Sequence, residues 1–310
     1  MNYCFGQSVN VNILDEFVKY GNKAPSSHNA KMWDVSIHPE KGLIILKIDK
    51  QKMLPALDPS NRESWISLGA FCQNIKLVAK DYGYNTNIFR INDTVELYFS
   101  SINVELEETK IYKEILNERH TLRKEFRKDS IDSLINPILQ KYSALIYFKN
   151  DTYLYDQLVS LSKKANYQQI NDLNRRMELA EWINFEKNRF SGMNLSNLGL
   201  NFFERLFFRC FVRKKYFSNS KLIRQSYLTK TNSLYDKGAG FLLITSERND
   251  KNNWFNSGIL LEDIWVQLTE LDIKVQPMSQ VIEEEPYYSQ IKKLLNIDGE
   301  IQMILRIGKT

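Results

Sequence analysis

Cysteine and histidine are scarce, three of each in 310 residues. Cys4, Cys72 and Cys210 share no motif spacing. An odd set without a pairing pattern suits a reducing compartment better than a disulfide framework. His28, His38 and His120 are scattered, and neither His-x-x-x-His nor Cys-x-x-Cys occurs, which removes the usual zinc sites. The dinucleotide fingerprint Gly-x-Gly-x-x-Gly, the Walker phosphate loop and the hydrolase elbow Gly-x-Ser-x-Gly are missing too. No stretch approaches the roughly 20 apolar residues of a membrane-spanning helix. The first residues also lack a charged segment followed by an apolar run, so no signal peptide is expected and the default location is cytoplasmic.

An excess of one charge is lacking as well. Lys and Arg number 42 against 37 Asp and Glu, a formal +5. That is too mild to imply nucleic acid, whose readers concentrate basic residues on one face. The expected partners are small molecules, with no nucleic acid and no membrane. What is abundant is ordinary: 43% hydrophobic and 25% charged residues, the composition of a globular chain able to bury a substantial core.

Along the chain, Ile13, Leu14, Phe17 and Val18 fall at helical spacing within a short helix over 12–20, ended by Gly21 and Asn22. Strands are expected over 33–37 and 43–48. A turn at Asp58 to Asn61 carries cap chemistry for a helix over about 64–81. Residues 88–91 and 95–99 read as a hairpin turning at Asn92 and Asp93. Helices are expected over 105–117 and 131–142, a strand over 145–148, and mostly helix over 153–190. A strand over 241–245 precedes a helix over 254–272; Val275 opens an irregular loop, and 301–307 forms a closing strand.

The segment from Trp65 to Ile75 aligns without gaps onto Trp254 to Ile264, with Trp, Gly and Ile in register and Gln73-Asn74 facing Glu262-Asp263. Each helix is preceded by an apolar strand. Short periodic segments match easily, so the alignment only hints at duplication.

Two segments carry chemistry. In the first, Ala24 to Trp33, Pro25 fixes φ, Ser26 and Ser27 supply hydroxyls, and Asn29 can bond to its own backbone or to an amide-rich ligand. Such a turn presents backbone N–H groups and small donors to a flat heteroaromatic ring, although a plain helix-to-strand turn uses the same residues. In the second, Arg119 to Phe126, Arg119, Thr121 and Arg123 alternate and point one way if the backbone is extended. Two guanidiniums around a hydroxyl match a phosphate; a solvated charge run between helices has the same composition.

Together the two segments resemble the nitroreductase family of flavoproteins. That family has an Arg-x-Ser/Thr-x-Arg/Lys-x-Phe motif followed by a Pro-Ser-x-x-Asn turn ending in Trp. Its homodimers build each flavin site from the Arg motif of one subunit and the turn of the other. Here the turn comes first with no Arg motif before it, and the Arg motif comes later with no such turn after it. The complementary loss implies one intramolecular pseudo-dimer with a single flavin site. Leu57 to Glu63, the Trp65 helix, Gly192 to Leu200, Pro277 to Gln280 and Gln302 to Gly308 are similar to the Acg-like fused nitroreductases.

The resemblance implies an α+β nitroreductase fold, with mixed or antiparallel sheets flanked by helices and two fused halves over 1–110 and 111–310. It implies bound FMN, with NAD(P)H as possible electron donor, and a monomer or loose homodimer. Arg119 and Thr121 would hold phosphate, joined by Arg306, while Arg123 would approach the N1–C2=O edge of the ring. Pro25, Ser26, Ser27 and Asn29 would line ring and ribityl chain, and Met278, Ser279 and Gln280 would face the ring from the second half. Trp33 matches the family's closing Trp, or is simply core.

Two departures stand out. Lys31-Met32 replaces the family's Gln-Pro, and the aromatic, basic stretch from Gly192 to Tyr227 replaces a short active-site region. The resemblance makes that stretch a lid over the flavin; its composition also suits a basic amphipathic helix at a membrane surface. The expected activity is hydride transfer from NAD(P)H through FMN to an unknown acceptor. The alternative is an FMN-sequestering, storage or sensor protein with little turnover. The scheme requires no side-chain acid or base, so no catalytic residue is assigned.

Overall fold

A computed structural model describes residues 7–102, 111–184, 190–195 and 220–310. Helix α1 (Val11–Gly21) is capped by the Asn10 side chain, which accepts from the Asn12 N–H at 2.9 Å, and it buries Leu14 and Phe17. Strands β1 (Trp33–His38) and β2 (Leu43–Ile48) follow. Then come the helix α2 (Arg62–Asp81) and strands β3 (Tyr84–Ile91) and β4 (Thr94–Ser101). These four strands form one antiparallel sheet in the order β1-β2-β4-β3.

After α3 (Tyr112–Glu118) and α4 (Asp132–Lys141), a second antiparallel sheet is laid down. It uses β5 (Leu145–Lys149), then, after α5 (Tyr153–Asn171), α6 (Leu173–Trp182), a short parallel pair β6 (Ile183–Asn184) and β7 (Met193–Asn194), and α7 (Lys221–Asn232), the strand β8 (Gly240–Ser246). Helix α8 (Lys251–Glu270), β9 (Lys274–Pro277), α9 (Gln280–Glu283), α10 (Tyr287–Leu295) and β10 (Glu300–Gly308) complete it. Its order is β5-β8-β10-β9. Both sheets therefore place their fourth strand between the second and the third, and each carries a 20-residue helix between its second and third strands.

Helices α2 and α8 cross at their glycines. A Cβ on Gly69 would lie 2.0 Å from the Phe255 carbonyl oxygen, and one on Gly258 would lie 1.9 Å from that of Ile66. Ile66 and Phe255 stand at equivalent places relative to their glycines, so each helix offers the other the same surface. Just beyond, Gln73 Nε2 donates to Asp263 Oδ1 at 2.8 Å, and Asn74 pairs with Glu262. Only hydrogen at those two α-carbons lets the backbones approach so closely.

One apolar core runs through both sheets and both crossing helices, from Leu14 and Phe17 to Leu305 and Ile307. A second cluster, with Tyr155, Phe241, Met278 and Ile304, fills the space between the second sheet and α5, α9 and α10. Cys72 is free and buried. Among the described residues no helix is long and apolar enough to cross a membrane.

Most elements fall where the hydrophobic pattern puts them, including the hairpin at Asn92, whose φ is 55°. Val275 is a correction: it lies in β9, paired with Ile307, and not in an irregular loop. The expected helix over 153–190 is two helices broken at Asp172, followed by the short strand β6. The start of the helix expected over 105–117 and residues 196–219 of the aromatic, basic stretch lie outside the described residues.

Candidate active site

A cavity of about 1270 Å³ lies between the turn after α1, the segment after α3 and helices α5, α6 and α7. Its first wall is the turn after α1. Three non-glycine residues there take left-handed backbone, His28 (φ 53°), Asn29 (φ 52°) and Lys31 (φ 53°). Each such residue costs on the order of 1 kcal/mol or more, least for Asn, so the surroundings must hold the turn. Asn29 N–H donates to the Ser26 carbonyl at 2.8 Å, and Lys31 N–H donates to Ser26 Oγ at 3.1 Å. Asn29 Nδ2 donates to the Gly192 carbonyl at 2.8 Å, while Gly192 N–H returns a bond to the Asn29 carbonyl at 2.7 Å. Ser27 Oγ donates to the Glu63 carboxylate.

Pro25, Ser26, Ser27 and Asn29 all line the cavity. The Asn29 amide nevertheless works on the protein itself, tying the turn to Gly192. The Ser26 hydroxyl, which accepts from Lys31, still has its proton to donate. Trp33 is core: its Nε1 donates to Asn22 Oδ1 at 2.7 Å and its ring packs 4.8 Å from Phe71.

The second wall is the segment after α3. Thr121 bridges Val275 in parallel fashion, and Leu122 N–H donates to the Val275 carbonyl at 3.1 Å. The backbone is thus extended there, and Arg119, Thr121 and Arg123 all face the cavity. Arg119 is buried, with Nε 2.8 Å from Glu262 Oε1, Nη2 donating to the Lys23 carbonyl, and its guanidinium 4.8 Å from the Trp265 ring. Burial lifts the Glu262 carboxyl to about 7, against the pull of Arg119. Burial also lowers Arg123, and the phenols of Tyr227 and Tyr235 oppose that shift.

Two expected site residues stand behind the wall. Arg306 does not line the cavity; it is fully buried within β10. Its Nε and Nη2 donate to Gln276 Oε1 at 3.1 and 2.5 Å, Nη2 also to the Lys124 carbonyl at 2.7 Å, and Nη1 to the Lys237 carbonyl. The guanidinium lies 3.9 Å from the Phe126 ring. Arg306 therefore fixes the chain next to Arg123 and orients Gln276, which does line the cavity. Met278 is buried in the second core cluster, its N–H bonded to the Ile304 carbonyl at 2.8 Å. Its neighbours Ser279 and Gln280 do reach the cavity, and Gln280 Oε1 is buried without a hydrogen-bond partner.

Sequence reasoning passed over several lining residues. Glu63 opens α2 and Glu283 ends α9; both face the cavity. Lys31 Nζ lies 3.6 Å above the Phe190 ring, and burial lowers its ammonium to about 8. His28 is held down to about 4, again chiefly by burial. Gln169 on α5, Arg176 on α6 and Tyr227 on α7 close the far side. Four lay inside segments that the sequence singles out: His28 and Lys31 in the turn from Ala24 to Trp33, Glu63 at the end of the segment from Leu57, and Tyr227 at the end of the aromatic, basic stretch. The others come from separate helices whose convergence no local spacing records.

A family model described as Nitroreductase family matches residues 191–309. Among solved structures, the chain is similar to a nitroreductase with bound FMN from Bacteroides fragilis, at 13% identity and a TM-score of 0.38, over 65% of this chain and 89% of that one. It is also similar to the FMN-dependent nitroreductase NfnB from Mycobacterium smegmatis in complex with NADPH, at 13% identity and a TM-score of 0.41, over 64% of this chain and 86% of that one. No curated protein matches the chain in sequence.

Proposed function

We propose that the chain binds one FMN in this cavity and transfers hydride from NAD(P)H to a small-molecule acceptor. The observation that carries the reading is the meeting of the Pro25–Asn29 turn with the Arg119–Arg123 segment around one cavity. The match of residues 191–309 to the nitroreductase family model supports it. Ligand pockets commonly span about 300–1,000 Å³, so this cavity has room for a flavin and a second molecule.

The residues present fit FMN. The group carries an anionic phosphate, ring carbonyls and one imide N–H. Arg123 and Thr121 would hold its oxygens, with Arg119 adding positive charge kept in place by Glu262. The unpartnered Gln280 Oε1 suits an N–H donor such as the imide. Bound there, FMN would supply reversible two-electron, hydride chemistry. The protein's own part is positioning: the strained turn presents donors on one side, and Arg306 steadies the Arg123 segment through the Lys124 carbonyl.

We further read the chain as a fused pseudo-dimer of halves over 1–110 and 111–310, supported by the repeated strand order and the reciprocal glycine crossing. Such a chain needs no second subunit to complete its site.

Side chains of α6 and α7 over the cavity favour one other reading, a protein that sequesters flavin. A single experiment separates the two. The purified protein should be yellow, and anaerobic NADPH or NADH should bleach it if it is a reductase. A yellow protein that stays oxidised contradicts turnover and leaves sequestration. A colourless protein that FMN cannot reconstitute contradicts both.

A further inference from the structure

Glu63 and Glu283 form a carboxyl pair in the cavity wall that the hydride scheme does not use. They come from opposite halves of the chain, one at the start of α2 and the other at the end of α9. The two carboxyl groups hydrogen-bond each other. Ser27 Oγ donates to Glu63 Oε2, and Arg62 Nη2 lies 3.2 Å from Glu63 Oε1. Gln169 Nε2 donates to Glu283 Oε2 at 2.6 Å, and Ser279 bonds to the same carboxylate. Glu283 Oε1 is buried and receives no N–H or hydroxyl of the protein.

Two carboxylate oxygens cannot share a hydrogen bond unless one carries a proton, and two like charges at that range in a buried wall cannot both persist. The charged and titratable groups around the pair are Arg62, Asp58 and His28, with the Arg175–Glu284 ion pair beside α9. Among the described residues, Arg62 is a cation that bears on both carboxyls, and it already serves the Gln302 carbonyl at 2.6 Å. Burial and the neighbouring Glu283 push Glu63 well above the usual carboxylate range, while Glu283 stays below it through its bonds to Glu63 and Ser279, which outweigh burial. The pair therefore holds one proton between its two carboxyls, and the directions of the two shifts put it on the Glu63 side.

We infer that Glu63 and Glu283 share one transferable proton and deliver it to the acceptor reduced in the cavity. The inference rests on the reductase reading above. An acceptor that gains the electron pair and hydrogen of a hydride is left anionic until a proton joins it. The Glu63 O–H bond breaks, a bond from that proton to the acceptor's oxygen or nitrogen forms, and two adjacent carboxylates remain. Their repulsion then draws the next proton from solvent and restores the pair. The hydride comes from the reduced nicotinamide of the proposed reaction, so electrons and protons balance. The acceptor class this selects is one that takes up a proton with its electrons, such as a quinone or a nitro group.

Two measurements test this on the purified full-length chain. In a Glu262→Gln background, which removes the other buried carboxyl that is protonated near neutral pH, infrared difference spectra with pH should show a protonated carboxyl that is lost in Glu63→Gln and titrates at lower pH in Glu283→Gln. Glu63→Gln keeps a neutral donor toward Glu283 but has no proton to transfer. It should slow reduction of menadione on the order of 10²-fold more than reduction of ferricyanide, which takes electrons without protons. Absence of that carboxyl band in the Glu262→Gln background, or equal slowing with both acceptors, overturns the proposal. A protein that binds no FMN overturns the reductase reading and the delivery step with it, while the infrared band decides the shared proton by itself.

Discussion

The two sheets share a strand order but not an environment. Along β4 buried and half-buried residues alternate, so the first sheet keeps one face on the core and turns the other toward solvent. Its counterpart β10 is buried at almost every position. The second sheet is covered on both faces, because α5, α9 and α10 pack on the side that the first sheet leaves open. Two of these helices, α5 and α9, bring Gln169 and Glu283 to the cavity, and α7 adds Tyr227. The walls of the cavity are correspondingly unlike: residues 25–31 contribute a strained turn, and residues 119–123 with the later helices contribute the Arg segment and the covering layer.

That comparison can be broken at the joints between the halves. The largest effect is expected from Arg119→Ala, which unties the second half from the Lys23 carbonyl and leaves Glu262 buried without its cation. A loss of about 4 kcal/mol in urea unfolding is expected. Gly69→Ala and Gly258→Ala should each cost about 3 kcal/mol, since the neighbour in the way is backbone. Similar losses at the two sites would support equivalent helices, and a neutral result at either would break the equivalence.

Glu262 also sets a pH dependence. The folded protein keeps its proton up to about pH 7, whereas an unfolded chain releases it near the ordinary value of 4.5. The folded state binds more protons in that window, so stability falls as pH rises from about 4.5 to about 7. Glu262→Gln should flatten this decline in thermal unfolding curves taken across the window. The smallest effect is expected from Asn29→Ala, which removes one side-chain bond to the Gly192 carbonyl. About 1 kcal/mol is lost, with the turn more open to proteolysis.

Much of the framework was legible in the sequence because periodic burial dictates it. The aligned tryptophan helices do cross one another, with Gly69 and Gly258 at the contact. The strand β9 was hidden: it has four residues, ends in a proline, and is held by its ladder to β10 and a single bridge from Thr121. At the site, Arg119, Thr121 and Arg123 follow from an alternation that an extended backbone preserves. Arg306 misled because an arginine in an apolar strand suggests a ligand, yet three protein acceptors already surround it. Asn29 meets Gly192 and Glu63 meets Glu283 only through the tertiary fold, and no local pattern announces either pair.

The most direct test of the account is a titration of the flavin-free chain with FMN, followed by quenching of flavin fluorescence. The account predicts saturation at one FMN per chain, with binding weakened strongly in Arg123→Ala and retained in Asn29→Ala. Saturation at two per chain, or binding indifferent to Arg123, would contradict a single site assembled from the two halves.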